Sequence, residues 1–198
     1  MASLKSVSPL AFLSSLAIDH LPTSYRLTIF GFPVSPTLSP PVANFGLLDQ
    51  RAAIEWLRNN IAAFGGDPDR MILFGESAGA ISISSYSYAY PDNPIVRGLI
   101  LQSGTAELIR NPGPSEFIRV SDALGCGSHG VDDRERMACM KKADAERIRH
   151  AISNRTLNYY AFPSGGVPGV DNITAFPVEE LVARGLAGKF AKLVRVCF

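Results

Sequence analysis

The chain has 198 residues, of which 46% are hydrophobic and 19% charged, and its formal net charge is +1. This length and composition predict a single soluble globular domain with a sizeable core, and the small net charge gives no field that would attract nucleic acid or an anionic membrane surface. Because no uninterrupted apolar run reaches the length of a bilayer, we expect no membrane span.

The first residues allow two interpretations. Lys5 followed by the mostly apolar stretch 7–17 is similar to the first two regions of a signal peptide, but Pro9 and several serines interrupt it, and no clean A-x-A cleavage site follows. The alternative is a segment unrelated to the domain that follows, produced by an altered start or a mis-spliced exon.

A helix is the first element that the pattern predicts. Apolar residues recur at spacings of three, four or seven, which gives the helix one apolar stripe to pack on a sheet, and Gly65-Gly66 should end it. Trp56 lies beside that stripe, so we expect it in the core or at its edge. The residues of the stripe are Leu47, Ile54, Leu57, Ile61 and Phe64.

The most informative stretch comes next. The continuously apolar run Met71–Phe74 predicts a strand that is buried on both faces, and it leads into a G-x-S-x-G turn, 75–79, and then into small residues that can open a helix. Glycines on either side should leave room for Ser77 in a strained turn. A bare motif of this kind occurs by chance in roughly one protein in fifteen of this length. The order of the predicted elements around the motif makes a chance match less plausible, because a further strand at 98–102 completes a β-α-β-α-β order.

The charged stretch 132–155 predicts two surface helices with Met137, Met140 and Ile148 turned inward. The three cysteines, taken alone, could equally be three buried thiols.

From about Tyr25 to Arg184 the chain resembles the type B carboxylesterases, the α/β-hydrolase group that includes cholinesterases and fungal lipases. The matching pieces are YRLTIFGFP at 25–33, NFGLLDQRAAIEWLRNNIAAFGGDPDRMILFGESAGA at 44–80 and RGLILQSGTA at 97–106. The resemblance implies the α/β class: an incomplete α/β-hydrolase fold, with a mostly parallel central sheet and flanking helices. It places a non-family segment at 1–23 and a partial family domain at 24–198.

The same resemblance implies a site for carboxylic ester hydrolysis. Ser77 is then the acylated nucleophile, the backbone N–H of Ala78 is an oxyanion donor, and Glu76 lines the pocket, while Gly75 and Gly79 frame the elbow. The substrate class is a small carboxylic ester, and no metal, organic cofactor or partner protein is implied.

The cysteines gain a role through the resemblance as well. It implies a disulfide between Cys126 and Cys139 and leaves Cys197 unpaired. Together with that disulfide, it favours secretion.

A serine nucleophile needs a histidine and a carboxylate to activate it. In the family both follow the point at which this chain ends: Phe190–Lys192 matches the start of the strand before the acid, and LVRVCF then closes the sequence. The Gly-rich loop that supplies further oxyanion donors is also missing upstream of Tyr25. None of His20, His129 and His150 has a catalytic context, and we expect His129 and His150 to be solvated surface residues. Two hypotheses follow: a truncated, weakly active or inactive esterase, or a non-catalytic remnant or interaction module that keeps the elbow.

Overall fold

A computed structural model describes residues 20–35, 37–38, 44–109, 115–127, 131–153 and 169–197. Residues 1–19 and His129, for which the sequence suggested roles, lie outside these ranges. The helices are α1 Thr28–Gly31, α2 Phe45–Asn60, α3 Ala78–Ala89, α4 Ser115–Ala123, α5 Asp133–Lys142, α6 Ala145–Ser153 and α7 Val178–Leu186. The strands are β1 Ile72–Glu76, β2 Gly98–Gln102 and β3 Val194–Cys197, and short 3-10 turns cover Ile61–Phe64 and Ala106–Leu108.

The three strands form one parallel sheet in the order β1-β2-β3. Ile72 lies opposite Gly98, and Gly98 lies opposite Val194, so the strands run in step and their carboxyl ends meet at one edge. Because parallel strands need a crossover, α3 connects β1 to β2. The predicted α/β class and the predicted strand at 98–102 are confirmed.

Only one face of the sheet is covered in the described part of the chain. Leu99 and Leu101 are 1% and 4% exposed and pack with side chains of α2 and α3, including Ile54 and Ile83. On the opposite face Phe74 is 53% exposed and Val194 is 73% exposed. The prediction that the first strand is buried on both faces is therefore wrong for the described residues, because nothing among them packs on this side.

The predicted helix α2 is present, but it ends differently from the prediction. The α-helix stops at Asn60, a 3-10 turn continues to Phe64, and Gly65 then takes a left-handed φ of 86°. Phe64 is 72% exposed and Trp56 is 55% exposed, so they stand outside the buried stripe, with ring centroids 6.4 Å apart. The tighter turn rotates Phe64 off the helical stripe, which explains why period-3.6 reasoning misplaced it.

A second cluster of buried side chains lies under α4, α5 and α6. Met140 and Ile148 are buried there, and Met137 packs against them, as predicted. The disulfide between Cys126 and Cys139 is confirmed: the two Cα atoms are 5.5 Å apart, and the bridge ties the end of α4 to α5. Cys197 is free and exposed. None of the helices in the described ranges is long and apolar enough to cross a membrane.

Candidate active site

Ser77 occupies a strained turn between β1 and α3. Its φ of 52° and ψ of −114° lie in a region that a non-glycine residue adopts only when its surroundings impose it. Two hydrogen bonds impose it here: the Ser77 N–H donates to the Gln102 carbonyl at 2.9 Å, and the Ser77 carbonyl accepts from the Ile81 N–H at 3.0 Å. The turn leaves Ser77 exposed at the carboxyl edge of the sheet.

The backbone next to Ser77 is suited to receive negative charge. The bond from the Ile81 N–H is the first of α3, so the N–H groups of Ala78, Gly79 and Ala80 precede the intrahelical ladder. Helix N-terminal N–H groups favour an anion through the helix dipole. Ala78 and Glu76 are exposed beside Ser77. The roles that the resemblance implies for them, an oxyanion donor and a pocket wall, stay predictions.

Two glycines let the chain segments around Ser77 approach closely. A Cβ atom on Gly75 would lie 2.6 Å from the Gly79 carbonyl oxygen, and a Cβ atom on Gly104 would lie 2.6 Å from the Ser77 carbonyl oxygen. A Cβ atom on Gly79, in contrast, would meet no described atom within 4 Å outside its chain neighbours and the backbone of its own helix. Close packing therefore requires glycine at Gly75 and also at Gly104, which the motif does not include. That Gly79 makes room for Ser77 stays a prediction.

Ser103 lies beside the elbow, and sequence reasoning overlooked it. Glu76 pairs in register with Gln102, so Ser77 and Ser103 follow the ends of two neighbouring strands. Ser103 is exposed and has a φ of 57°, close to that of Ser77. The sequence could have indicated Ser103, because it directly follows the predicted strand 98–102 and the carboxyl ends of parallel strands share one edge of the sheet.

A buried cation anchors α3, the helix that begins at Ser77. Arg51 of α2 is 8% exposed, and its Nη1 donates to the Tyr86 hydroxyl at 2.8 Å and to the Asn93 carbonyl at 2.8 Å. Its guanidinium lies 4.2 Å from the centre of the Tyr90 ring. Burial raises the pKa of Tyr86 to about 12, against an opposing effect of the Arg51 charge, and burial also raises the pKa of Tyr90. Tyr86 thus stays a neutral donor, and its hydroxyl donates to the Pro94 carbonyl at 2.7 Å.

A second buried network joins the start of α2 to the loop before α7. The Asn44 Nδ2 donates to the Gly169 carbonyl at 2.8 Å and to Asp171 Oδ2 at 2.9 Å, and its Oδ1 accepts from the Gly169 N–H at 3.0 Å. Asp171 Oδ1 accepts three backbone N–H bonds at 2.7–2.9 Å, from Ile173, Thr174 and Ala175. Asn44, Asp171 and Thr174 are each at most 2% exposed. We call this network the Asn44–Asp171 clamp.

Neither of the two histidines that the structure describes is bonded to Ser77. His20 and His150 are exposed, and within the described ranges the Ser77 hydroxyl has no hydrogen bond to either of them. The described residues also contain no group of three or more His, Cys, Asp or Glu side chains that could hold a metal ion. The arrangement among the described residues is that of a serine on an elbow, with backbone donors beside it.

Comparison with known proteins finds one family and relatives that are named as esterases and lipases. A family model described as "Carboxylesterase family" matches residues 21–187. The chain is 42% identical over 173 residues to a chlorogenic acid esterase of Aspergillus niger, covering 86% of this chain and 32% of that protein. It is 37% identical over 161 residues to secreted lipase 5 of Gibberella zeae, covering 77% of this chain and 30% of that protein.

More distant relatives show the same partial coverage. Lipase 4 of Diutina rugosa is 32% identical over 158 residues, which is 74% of this chain and 28% of that protein. The chain thus spans about a third or less of the length of these curated relatives.

Proposed function

Since this chain belongs to the carboxylesterase family, whose members have the α/β-hydrolase fold, we propose that it carries the nucleophile and part of the oxyanion hole of a carboxylic ester hydrolase. The observation that supports the proposal best is the backbone of Ser77. A left-handed φ of 52° costs of order 1–3 kcal/mol, and the chain maintains it on an exposed serine at a strand-to-helix turn.

The proposed reaction forms and breaks an acyl-enzyme. The Ser77 Oγ attacks the ester carbonyl carbon, its proton passes to a general base, and the carbonyl oxygen becomes an oxyanion that the Ala78 N–H stabilises. The alcohol then leaves with a proton, and water hydrolyses the acyl-Ser77 bond to release the acid. A small carboxylic ester is the proposed substrate class, in keeping with the esterases and lipases that the chain is similar to.

The turn geometry contributes to this step in two ways. The bond from the Ser77 N–H to Gln102 fixes the nucleophile relative to the strand ends, and the close approach at Gly75 fixes α3 relative to β1. Both hold Ser77 and the Ala78 N–H in one rigid unit, so that little reorganisation is needed as charge develops.

Labelling with a fluorophosphonate probe tests the proposal, because the probe reacts with activated serines. Full-chain protein, with its circular dichroism and disulfide verified, is treated with the probe and mapped by peptide mass spectrometry. We expect a phosphonyl adduct on Ser77 that is lost in Ser77→Ala and kept in Ser103→Ala. The Ser103 variant is a matched control, since that serine is also exposed and follows the neighbouring strand with a similar φ.

A second candidate is a non-catalytic chain that keeps the elbow, favoured by the absence of a histidine bonded to Ser77 within the described ranges. Folded protein that takes up no label supports it, because serine without a general base is a poor nucleophile. Labelling that persists in Ser77→Ala contradicts both candidates as formulated.

A further inference from the structure

A triplet in the loop before α7, next to Asp171 of the Asn44–Asp171 clamp, matches the acceptor pattern for N-linked glycans. Residues 172–174 read Asn-Ile-Thr, which is the pattern N-x-[ST] with no proline in the middle. The sequence contains a second triplet of this kind at 154–156, outside the described residues. We propose that Asn172 is an acceptor for N-linked glycosylation, a modification independent of ester hydrolysis.

The loop presents Asn172 in a way that a glycan requires. Asn172 is exposed, and within the described ranges its side-chain amide has no hydrogen-bond partner. The Asn172 N–H donates to the Ala175 carbonyl at 2.9 Å, so the exposed residue lies in a tight bend whose backbone is held in place. The neighbouring Ile173 is 49% exposed, and an attached sugar would shield that apolar surface from water.

An independent observation comes from the disulfide. The Cys126–Cys139 bridge forms and persists in an oxidising compartment, which is also where N-linked glycans are attached. One passage through the secretory pathway therefore accounts for both features.

The folded loop restricts when the modification occurs. Thr174 is 2% exposed, and its hydroxyl donates to Asp171 Oδ2 and accepts from Asn44 Nδ2 at 3.1 Å. A transferase that recognises the threonine hydroxyl cannot reach it in this state. Glycosylation at Asn172 must then precede closure of the clamp.

The chemistry is a glycosyl transfer from a polyprenol diphosphate oligosaccharide. The Asn172 Nδ2 bonds to the anomeric carbon of the first sugar while the anomeric carbon–oxygen bond to the diphosphate breaks. The polyprenol diphosphate leaves with the electron pair, and one amide proton passes to a base of the transferase. No oxidant or reductant is needed.

The presence of asparagine at position 172 also has a purely structural explanation, and the test must distinguish the two. Its φ of 59° is left-handed, and asparagine is the residue after glycine that tolerates such a φ. Asn172→Gly therefore keeps the loop conformation and removes the acceptor, and Thr174→Ser keeps a hydroxyl in both the acceptor pattern and the clamp.

The experiment expresses the full chain behind a cleavable secretory leader in yeast. Protein from the medium and from the endoplasmic reticulum fraction is digested and treated with peptide N-glycosidase in ¹⁸O-water, which converts a glycosylated asparagine into ¹⁸O-labelled aspartate. We expect the label at Asn172 in wild type and Thr174→Ser, and a loss of one glycan in Asn172→Gly.

Unlabelled Asn172 in chains from both fractions that contain the formed disulfide would overturn the proposal. Analysing the retained fraction keeps the test valid even if the chain is not released. Labelling at Asn154 is read on a separate peptide and does not enter this outcome.

Discussion

The two glycines of the elbow, Gly75 and Gly79, are in unequal surroundings. A Cβ atom on Gly75 would lie 2.6 Å from the carbonyl oxygen of Gly79 and 2.8 Å from the Ala80 nitrogen. A Cβ atom on Gly79 itself would meet no described atom within 4 Å outside its chain neighbours and the backbone of its own helix. The close approach of β1 to α3 thus requires glycine on the strand side of Ser77, while the described contacts do not require it on the helix side.

This asymmetry predicts opposite results for two alanine variants. Gly75→Ala forces the strand and helix apart, and we expect it to lower the free energy of unfolding by about 1–3 kcal/mol, as overpacking does. Gly79→Ala removes a flexible residue from a helix without a clash, so we expect no loss and a gain of up to about 1 kcal/mol. Urea denaturation followed by circular dichroism measures both, and equal losses would contradict the inferred packing.

Local sequence predicted the strand, turn and helix around Ser77 because they form one short segment. Strand, turn and helix occupy consecutive residues, and the apolar run and the glycines identify each of them. The packing on the two faces of the sheet could not be predicted in the same way. The apolar run 71–74 is compatible with a buried Phe74, but whether another element packs on its face of the sheet depends on segments far away in the sequence. The role of Gly104 and the Asn44–Asp171 clamp were also out of reach, since both join residues far apart in the chain.

Removing Asn44 should disrupt the clamp. Asn44→Leu leaves the buried N–H and carbonyl of Gly169 without their partner, and it removes one bond each from Asp171 and Thr174, which stay bonded to each other. Because an unpaired buried polar group costs about 1–3 kcal/mol, we expect the free energy of unfolding to fall by about 2 kcal/mol or more. Asn59→Leu, an exposed position on α2, is the matched control. Thermal and urea unfolding of the two variants are compared; a loss below about 0.5 kcal/mol for Asn44→Leu would show that the clamp does not stabilise the fold.

We expect the disulfide to contribute more to the stability of the fold than the free thiol of Cys197 does. Cys126 and Cys139 are 13 residues apart, and closing a loop of that size contributes on the order of 3 kcal/mol. We therefore expect the double variant Cys126→Ala/Cys139→Ala to unfold at a clearly lower urea concentration than wild type. Cys197→Ser, which changes an exposed thiol, should leave the midpoint unchanged. Identical midpoints for wild type and the double variant would contradict the prediction.

Stability should also fall at alkaline pH. Burial raises the pKa of Tyr86 from 10.0 to about 12 in the folded chain, so the folded state holds this proton more tightly than the unfolded state does. The resulting stabilisation is complete well below pH 10 and is lost as the pH rises from 10 through 12, by roughly 2–3 kcal/mol in all. Tyr86→Phe should show a shallower decline across this window, with a remainder from Tyr25 and Tyr90, whose pKa values burial also raises.

Urea unfolding at a series of pH values from 8 to 12 gives the slope for each chain. The Tyr86→Phe variant also loses its bond from Arg51 at every pH, which shifts the whole curve and leaves the slope as the informative quantity. Parallel curves for the two chains would mean that the Tyr86 phenol is not protected from ionisation.

The Asn44–Asp171 clamp has a consequence for the order of assembly during translation. Its two ends are 127 residues apart, so at about 5–20 residues per second Asn44 leaves the ribosome roughly 6–25 s before Asp171. Cys139 leaves the ribosome 32 residues before Asp171 (171 − 139), roughly 2–6 s earlier, so both ends of the disulfide loop are available before both ends of the clamp are. Asn44 is therefore already outside the ribosome when Asp171 emerges. An enzyme that acts on the open loop before α7 has only the time that the clamp takes to close.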